Sequence, residues 1–183
     1  MDLDPIERAL RLVDREIWII TAAANGRRGG LTATSVAATS LDPQRPMLLV
    51  GITPNHYTAE LIAGSETFAA HLLRPDQAAV AWNFADGSGR DRDKLAGLAT
   101  NTSPQGAPIL VDCLAWLECR CVSRFTAADR LFFWADIIAG QQLSPGPPLR
   151  ENAFIASLTD SQRRQLATAK AADLALKSQR PEL

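Results

Sequence analysis

A hydroxyl-rich stretch, Leu31-Thr32-Ala33-Thr34-Ser35-Val36-Ala37-Ala38-Thr39-Ser40-Leu41-Asp42-Pro43, lies between two apolar runs at residues 17–24 and 46–53. The first of these runs opens with Ile17-Trp18-Ile19-Ile20-Thr21, which is β-branched and aromatic and reads as a strand. Asn25-Gly26 follows it, and both residues tolerate positive φ, so the chain turns back in a hairpin and the hydroxyl-rich stretch lies on the return strand. Its small side chains leave the backbone open to close approach, and its hydroxyls supply short donors and acceptors. Asn55-His56-Tyr57-Thr58 comes next and can open a helix whose free N–H groups attract an anion. The first segment could hold the polar edge of a flat ring system, and the second an anionic group. A Thr-rich edge strand and a plain capped surface helix are the alternatives for each segment taken alone.

The rest of the chain reads as a mainly β domain with helices around it. Asp4, Pro5 and Glu7 are the start signals of a first helix, and Ile6, Ala9, Leu10 and Val13 would turn one face to the core. Residues 46–53 form a near-continuous apolar strand, buried on both faces. A short helix over 57–63 ends at Gly64, and a strand over 67–73 is followed by a helix over 75–85. Residues 86–108 hold little sustained pattern, and irregular connections of that length are usually functional or disordered. Two long strands are expected over 109–123 and 130–141, with a turn around 126–129. Pro145, Pro147 and Pro148 mark an irregular exit. Thr159 with Gln162 starts a last helix reaching Lys177, whose mild stripe of Leu166, Ala169, Ala172 and Leu176 suits a surface, such as that of a partner subunit. Residues 1–158 are therefore read as the domain and 159–183 as its helical extension.

Composition narrows the functions open to such a chain. With 183 residues, 46% hydrophobic and 21% charged, it suits one ordinary globular domain. A net charge of −1 argues against a nucleic-acid binder relying on bulk electrostatics. No run is long or apolar enough to span a bilayer, and Met1-Asp2-Leu3-Asp4-Pro5 lacks a basic leader, so a cytoplasmic location without membrane contact is expected. Cys113, Cys119 and Cys121 would share one face of one strand as packed thiols rather than a disulfide framework. With His56 and His71 remote from them, no metal site is expected. His71 reads as a satisfied core histidine, and Arg27-Arg28 as solvated. Gly87-Ser88-Gly89 lacks the flanking strand of a dinucleotide fingerprint.

Several short motifs occur in a fixed order: residues 31–35, Ser40-Leu41-Asp42-Pro43, residues 55–58, residues 68–73, Phe84-Ala85, Asp93-Lys94-Leu95, Gly106-Ala107-Pro108, Ala115-Trp116-Leu117-Glu118-Cys119 and Ala128-Asp129-Arg130-Leu131-Phe132. In this set, spanning residues 8–155, the chain resembles the flavin reductase-like family. That resemblance implies an FMN-binding split β-barrel with flanking helices, assembled as a homodimer. It implies NAD(P)H:flavin oxidoreduction with FMN as the leading flavin, FAD as a possible one, and NADH or NADPH as co-substrate. Reduced flavin would pass its electrons to an oxygenase or a redox protein.

Carried onto this sequence, the resemblance places Thr32, Ala33, Thr34, Ser35 and Ser40 about the flavin ring, and Asn55, His56 and Thr58 at its phosphate. Phe84 would close the core under the ring, and Lys94 would reach a phosphate or the ring's polar edge. His56 stands where many relatives carry a small polar residue. Ala128-Asp129-Arg130 replaces a frequent Gly-Asp-His, and Ala135 replaces a glycine, which makes Arg130 the candidate contact on the nicotinamide side. Modules attached to di-iron flavoproteins are similar too, so an FMN-holding electron carrier without NAD(P)H oxidation is an alternative. A non-catalytic dimeric barrel binding another planar ligand, such as haem, is a further one.

Overall fold

The computed structural model describes residues 4–177. Its helices and strands run in chain order as α1 (Pro5–Leu10), β1 (Trp18–Ala24), β2 (Arg27–Ala33), β3 (Val36–Ala38), β4 (Met47–Ile52), α2 (Tyr57–Ser65) and β5 (Thr67–Leu72). After a 3-10 turn at Pro75–Gln77 come α3 (Ala78–Ala85), β6 (Thr100–Thr102), β7 (Pro108–Leu110), β8 (Ala115–Ala127), β9 (Arg130–Gln142), α4 (Glu151–Ser157) and α5 (Asp160–Lys177). Seven strands form one antiparallel sheet in the order β2-β1-β5-β8-β9-β4-β3, and β6 with β7 makes a small separate ribbon.

Chain connectivity curls the large sheet into a half-barrel. β2 ends one side of the strand order and β3 ends the other, yet only Thr34 and Ser35 separate them in sequence. Residues 27–38 are thus one bent strand that pairs with β1 through its first part and with β4 through its second. The join is fixed by the Gly51 N–H, which donates to the Ser35 carbonyl at 2.8 Å. The β1–β2 turn is as its residues require, with Asn25 at φ 52° and Gly26 at φ 72°.

The concave side holds the main core, including Ile20, Val50, Ile52, Leu61, Phe68 and Phe133. Phe68 and Phe133 are fully buried, each worth about 2–3 kcal/mol by area removed from water. β4 is buried on nearly every residue, as its unbroken apolar run requires. A second core between the sheet, α3 and α4 contains Ile19, Leu73, Phe84, Leu95 and Phe154. On the second core's side, His71 ties β1 to β7. Its Nδ1 lies 3.0 Å from the Ile19 carbonyl, and its Nε2 accepts the Leu110 N–H at 3.1 Å, which fixes the neutral ring with its proton on Nδ1. Burial pushes its pKa down to about 4.

Several local expectations are corrected. None of the α1 residues is buried; Ile6 is 71% exposed and Leu10 66%, so the apolar stripe faces outward from this chain's core. α2 runs past Gly64 to Ser65, because the left-handed cap falls on Glu66 at φ 58°. Gly64 instead permits close packing, since a Cβ there would lie 3.3 Å from that of Ala24. The expected strand over 109–123 is broken into β7 and β8, where the N–H of Leu114 leaves for the Leu72 carbonyl.

Cys113 therefore sits in the bend, apart from Cys119 and Cys121 on β8. All three are free thiols with pKa values raised chiefly by burial, Cys113 to about 11 and Cys121 to about 12. They are poor nucleophiles at neutral pH. α4 has no counterpart in the sequence expectations. α5 begins where they put it: the Thr159 N–H donates to Gln162 Oε1 at 2.8 Å, and the Gln162 N–H to Thr159 Oγ1 at 3.3 Å. No helix among the described residues is long and apolar enough to cross a membrane.

Candidate functional site

A cavity of about 350 Å³ opens where β2, the start of α2, the end of α3 and α5 meet. Gly30, Leu31 and Thr32 form one wall, residues 55–58 another, and Phe84 with Lys94 the floor. Gly87, Ser88, Gly89 and Arg90 border it on the loop side, and Ala169, Ala172 and Asp173 of α5 lie across it. Its size falls within the range usual for small-molecule sites, about 300–1,000 Å³.

Glycines permit the close packing. A Cβ on Gly30 would lie 2.7 Å from Phe84 Cε1 and 2.9 Å from the Ile20 carbonyl oxygen. One on Gly89 would lie 2.8 Å from Tyr57 Cδ1. Phe84 can therefore floor the cavity only because β2 has no side chain at residue 30.

The start of α2 is open. His56 is the N-cap residue, and no side chain caps the helix. The N–H groups of Ala59 and Glu60 reach the His56 carbonyl at 3.0 and 3.3 Å. Those of Tyr57 and Thr58 have no backbone acceptor among the described residues. Two uncapped donors and the positive end of the helix dipole thus face the cavity rim, an arrangement suited to an anion. Thr58 is 2% exposed and Asn55 is at the surface, where its carbonyl accepts Arg90 Nη1 at 3.1 Å.

Arg90 and Arg27 hold Tyr57 between them, with guanidinium carbons 5.4 and 5.7 Å from the ring centroid. Both bond Glu60, at 2.9 and 2.8 Å, and these bonds, that from Arg90 first, hold its carboxyl below the usual range. Arg28 pairs with Asp93 at 2.7 Å on the exposed surface.

Lys94 is buried at the cavity floor, and its ammonium donates to the carbonyls of Phe84 and Gly87, each at 2.8 Å. The Phe84 carbonyl lies in the last turn of α3 and that of Gly87 in the loop beyond it, so Lys94 caps the helix and anchors the loop. Burial, helped by the nearby Arg92 charge and opposed by Asp86, pushes its pKa down to about 8. Arg92 completes the clamp with bonds to the carbonyls of Asn83 at 2.7 Å and Asp86 at 3.1 Å.

Of the residues expected about a ligand, Thr32, Asn55, His56, Thr58, Phe84 and Lys94 line this cavity. The Thr32 hydroxyl is spent on the Ala81 carbonyl at 2.7 Å, which leaves backbone groups as what β2 offers there. Ala33, Thr34, Ser35 and Ser40 are not on its walls. Ala33 packs into the main core, Ser35 holds the barrel join through its carbonyl, and Ser40 Oγ accepts the Asp42 N–H at 3.1 Å in its own turn.

Arg130 is not on the cavity wall, and it is held rather than projecting freely from its turn. Its Nη1 donates to Thr53 Oγ1 at 3.2 Å, while its Nε pairs with Asp129 at 3.3 Å. Sequence reasoning placed neither Arg90 nor Gly30 at the site, and put the last helix on a surface rather than across the cavity. The weak pattern over residues 86–108 was the available signal for Arg90.

The chain matches the family described as Flavin reductase like domain over residues 10–167. It is 32% identical over 131 residues to the reductase component of a 4-nitrophenol 4-monooxygenase/4-nitrocatechol 2-monooxygenase from Rhodococcus opacus, covering 72% of this chain and 68% of that one. It is 26% identical over 137 residues to diflavin flavoprotein A 1 of Synechocystis, covering 74% of this chain but only 24% of the relative's length. Among solved structures, that of nitrilotriacetate monooxygenase component B from Mycobacterium thermoresistibile superposes with a TM-score of 0.70 at 28% identity, over 79% of each chain.

Proposed function

This chain belongs to the flavin reductase-like family, and from that premise we propose that it is an NAD(P)H:flavin oxidoreductase that binds FMN in the cavity between β2 and α2. The observation that carries the reading is the uncapped start of α2 at the rim of a cavity walled by strand backbone. A flavin offers a phosphate for the first and a ring with a polar edge for the second. When bound, it supplies the centre that accepts a hydride from a nicotinamide.

The protein's own residues bind, orient and exclude water. Tyr57 and Thr58 N–H groups and the Thr58 hydroxyl would hold the phosphate. Backbone groups of Gly30–Thr32 would meet the ring's edge without side-chain bulk, and Phe84 would support it from below. Lys94 positions the floor through α3 rather than donating to the ligand with its two engaged hydrogens. Arg130, held by Thr53 outside the cavity wall, would be the cation on the nicotinamide side, and its permanent charge would favour anionic reduced flavin.

A homodimer belongs to the same proposal. Ala33, Thr34, Ser35 and Ser40 lie outside this chain's cavity, and the outer face of β8 and β9 exposes Phe125, Trp134 and Ile138. A second copy seated there would give both observations a purpose. The electron acceptor is proposed to be an oxygenase, since the Rhodococcus relative is the reductase component of a monooxygenase.

The match to diflavin flavoproteins favours a second reading, a flavin carrier reduced by a protein. Anaerobic titration separates the two. The protein reconstituted with FMN should bleach at 450 nm (approximate flavin band) when NADH or NADPH is added. A yellow protein that dithionite bleaches and neither nicotinamide does would establish the carrier reading, and failure to retain any flavin would end both.

A further inference from the structure

Nothing in the flavin reading requires α5, yet this helix lies across the cavity, and it bonds there through polar side chains. Asp173 Oδ2 lies 2.9 Å from His56 Nε2 and 3.4 Å from Thr53 Oγ1. Gln165 hydrogen bonds to the Asp86 carboxylate. Leu166 packs on the second core, while most other described residues of α5 are exposed. Ala169 and Ala172 carry no bulk where they line the cavity. The start of the helix is tied to the body by Leu166, by Gln165 and by Arg163 Nη1, which donates to the Ile155 carbonyl at 3.1 Å, while over the cavity Asp173 bonds His56.

That carboxylate bonds the imidazole of His56, the N-cap residue of α2. We propose that α5 is a displaceable strap whose Asp173 carboxylate holds His56 beside the anion seat of the cavity, and that the phosphate of an incoming flavin mononucleotide competes with it for His56. The inference rests on the flavin reading and assigns its regulation. Two anions cannot share His56 and the α2 start without strong repulsion, so phosphate entry expels Asp173 and loosens the far half of α5. An internal competitor weakens retention and makes the flavin exchangeable, as suits a protein that handles flavin as a substrate. A carboxylate that merely completes the cap of α2 would produce no such competition.

The test uses the full chain, Asp173→Asn and Asp173→Ala, titrated with FMN and with riboflavin by fluorescence quenching. One charge-assisted contact is being removed at a part-exposed site, so both variants should bind FMN about tenfold more tightly than the wild type. Riboflavin has no phosphate and should bind all three proteins equally. FMN should also speed tryptic cleavage after Lys170 in the wild type. Unchanged or weaker FMN binding in both variants, an equal gain for riboflavin, or protection of Lys170 by FMN would overturn the strap. If none of the three proteins binds either flavin, the flavin reading itself fails, which is a distinguishable result.

Discussion

Acidification from pH 7 to 4 should cost this protein about 3 kcal/mol through a single side chain, His71. The ring is wholly buried, and its two nitrogens are committed as one donor and one acceptor, to Ile19 and Leu110. A second proton would put a donor against the Leu110 N–H and a charge in the core. The unfolded chain takes up that proton near 6.5, whereas the folded one resists until about 4. Stability from this group is thus complete above about pH 6.5 and is lost as pH falls toward 4. The gap amounts to about 3 kcal/mol at ~1.4 kcal/mol for each pH unit. Asp112, held below the usual carboxylate range by its bond to Arg74, loses its contribution only at lower pH, so the window between about 6.5 and 4.5 isolates the histidine. Urea unfolding at closely spaced pH values gives the curve. In a His56→Gln background one imidazole remains, and its NMR titration gives the folded-state value directly. A His71 signal that titrates above pH 6 in the folded protein would refute the account.

Gly30→Ala should destabilise by about 1–3 kcal/mol and impair flavin retention, because its Cβ must displace the Phe84 ring or the Ile20 carbonyl; thermal melts and FMN titration read the two effects. Lys94→Met should cost about 1–3 kcal/mol by leaving the Phe84 and Gly87 carbonyls without their donor, and urea midpoints will measure it; an unchanged midpoint would remove the capping role. Thr58→Ala should weaken FMN binding by about ten- to a hundredfold with riboflavin affinity unaltered, if its hydroxyl meets the phosphate. Arg130→Ala should lower the flavin potential and change the anaerobic reduction rate with little effect on flavin affinity, whereas no change in rate or potential would exclude Arg130 from the chemistry.

Much of the fold was legible because it rests on local rules. Asn25-Gly26 fixes the first hairpin, the unbroken apolar run at Met47–Ile52 marks a strand covered on both sides, and Thr159 with Gln162 starts α5. The errors lie where tertiary partners decide. The outward stripe of α1 has the same period as an inward one, so periodicity cannot tell which side is covered. Cys113 left its strand because Leu114 pairs with Leu72, a contact between distant segments. At the site, residues 55–58 announced a helix start, but Lys94 looked like a free cation and is engaged with two carbonyls. Nothing in the sequence around Asp173 pointed to His56, since 117 residues separate them.

The bent strand over residues 27–38 also determines how ligand and fold share free energy. Its first part pairs with β1 on one side only, and in an antiparallel ladder every other residue directs its backbone groups to the opposite, unpaired side. Gly30–Thr32, which wall the cavity, belong to that part. A planar guest with donors and acceptors along one edge would continue the ladder there as a missing strand does. Saturating such a guest at a hundred times its dissociation constant would add about 2.7 kcal/mol to global stability. The melting temperature of this protein is then a gauge of its cargo, able to rank planar ligands before any turnover is measured.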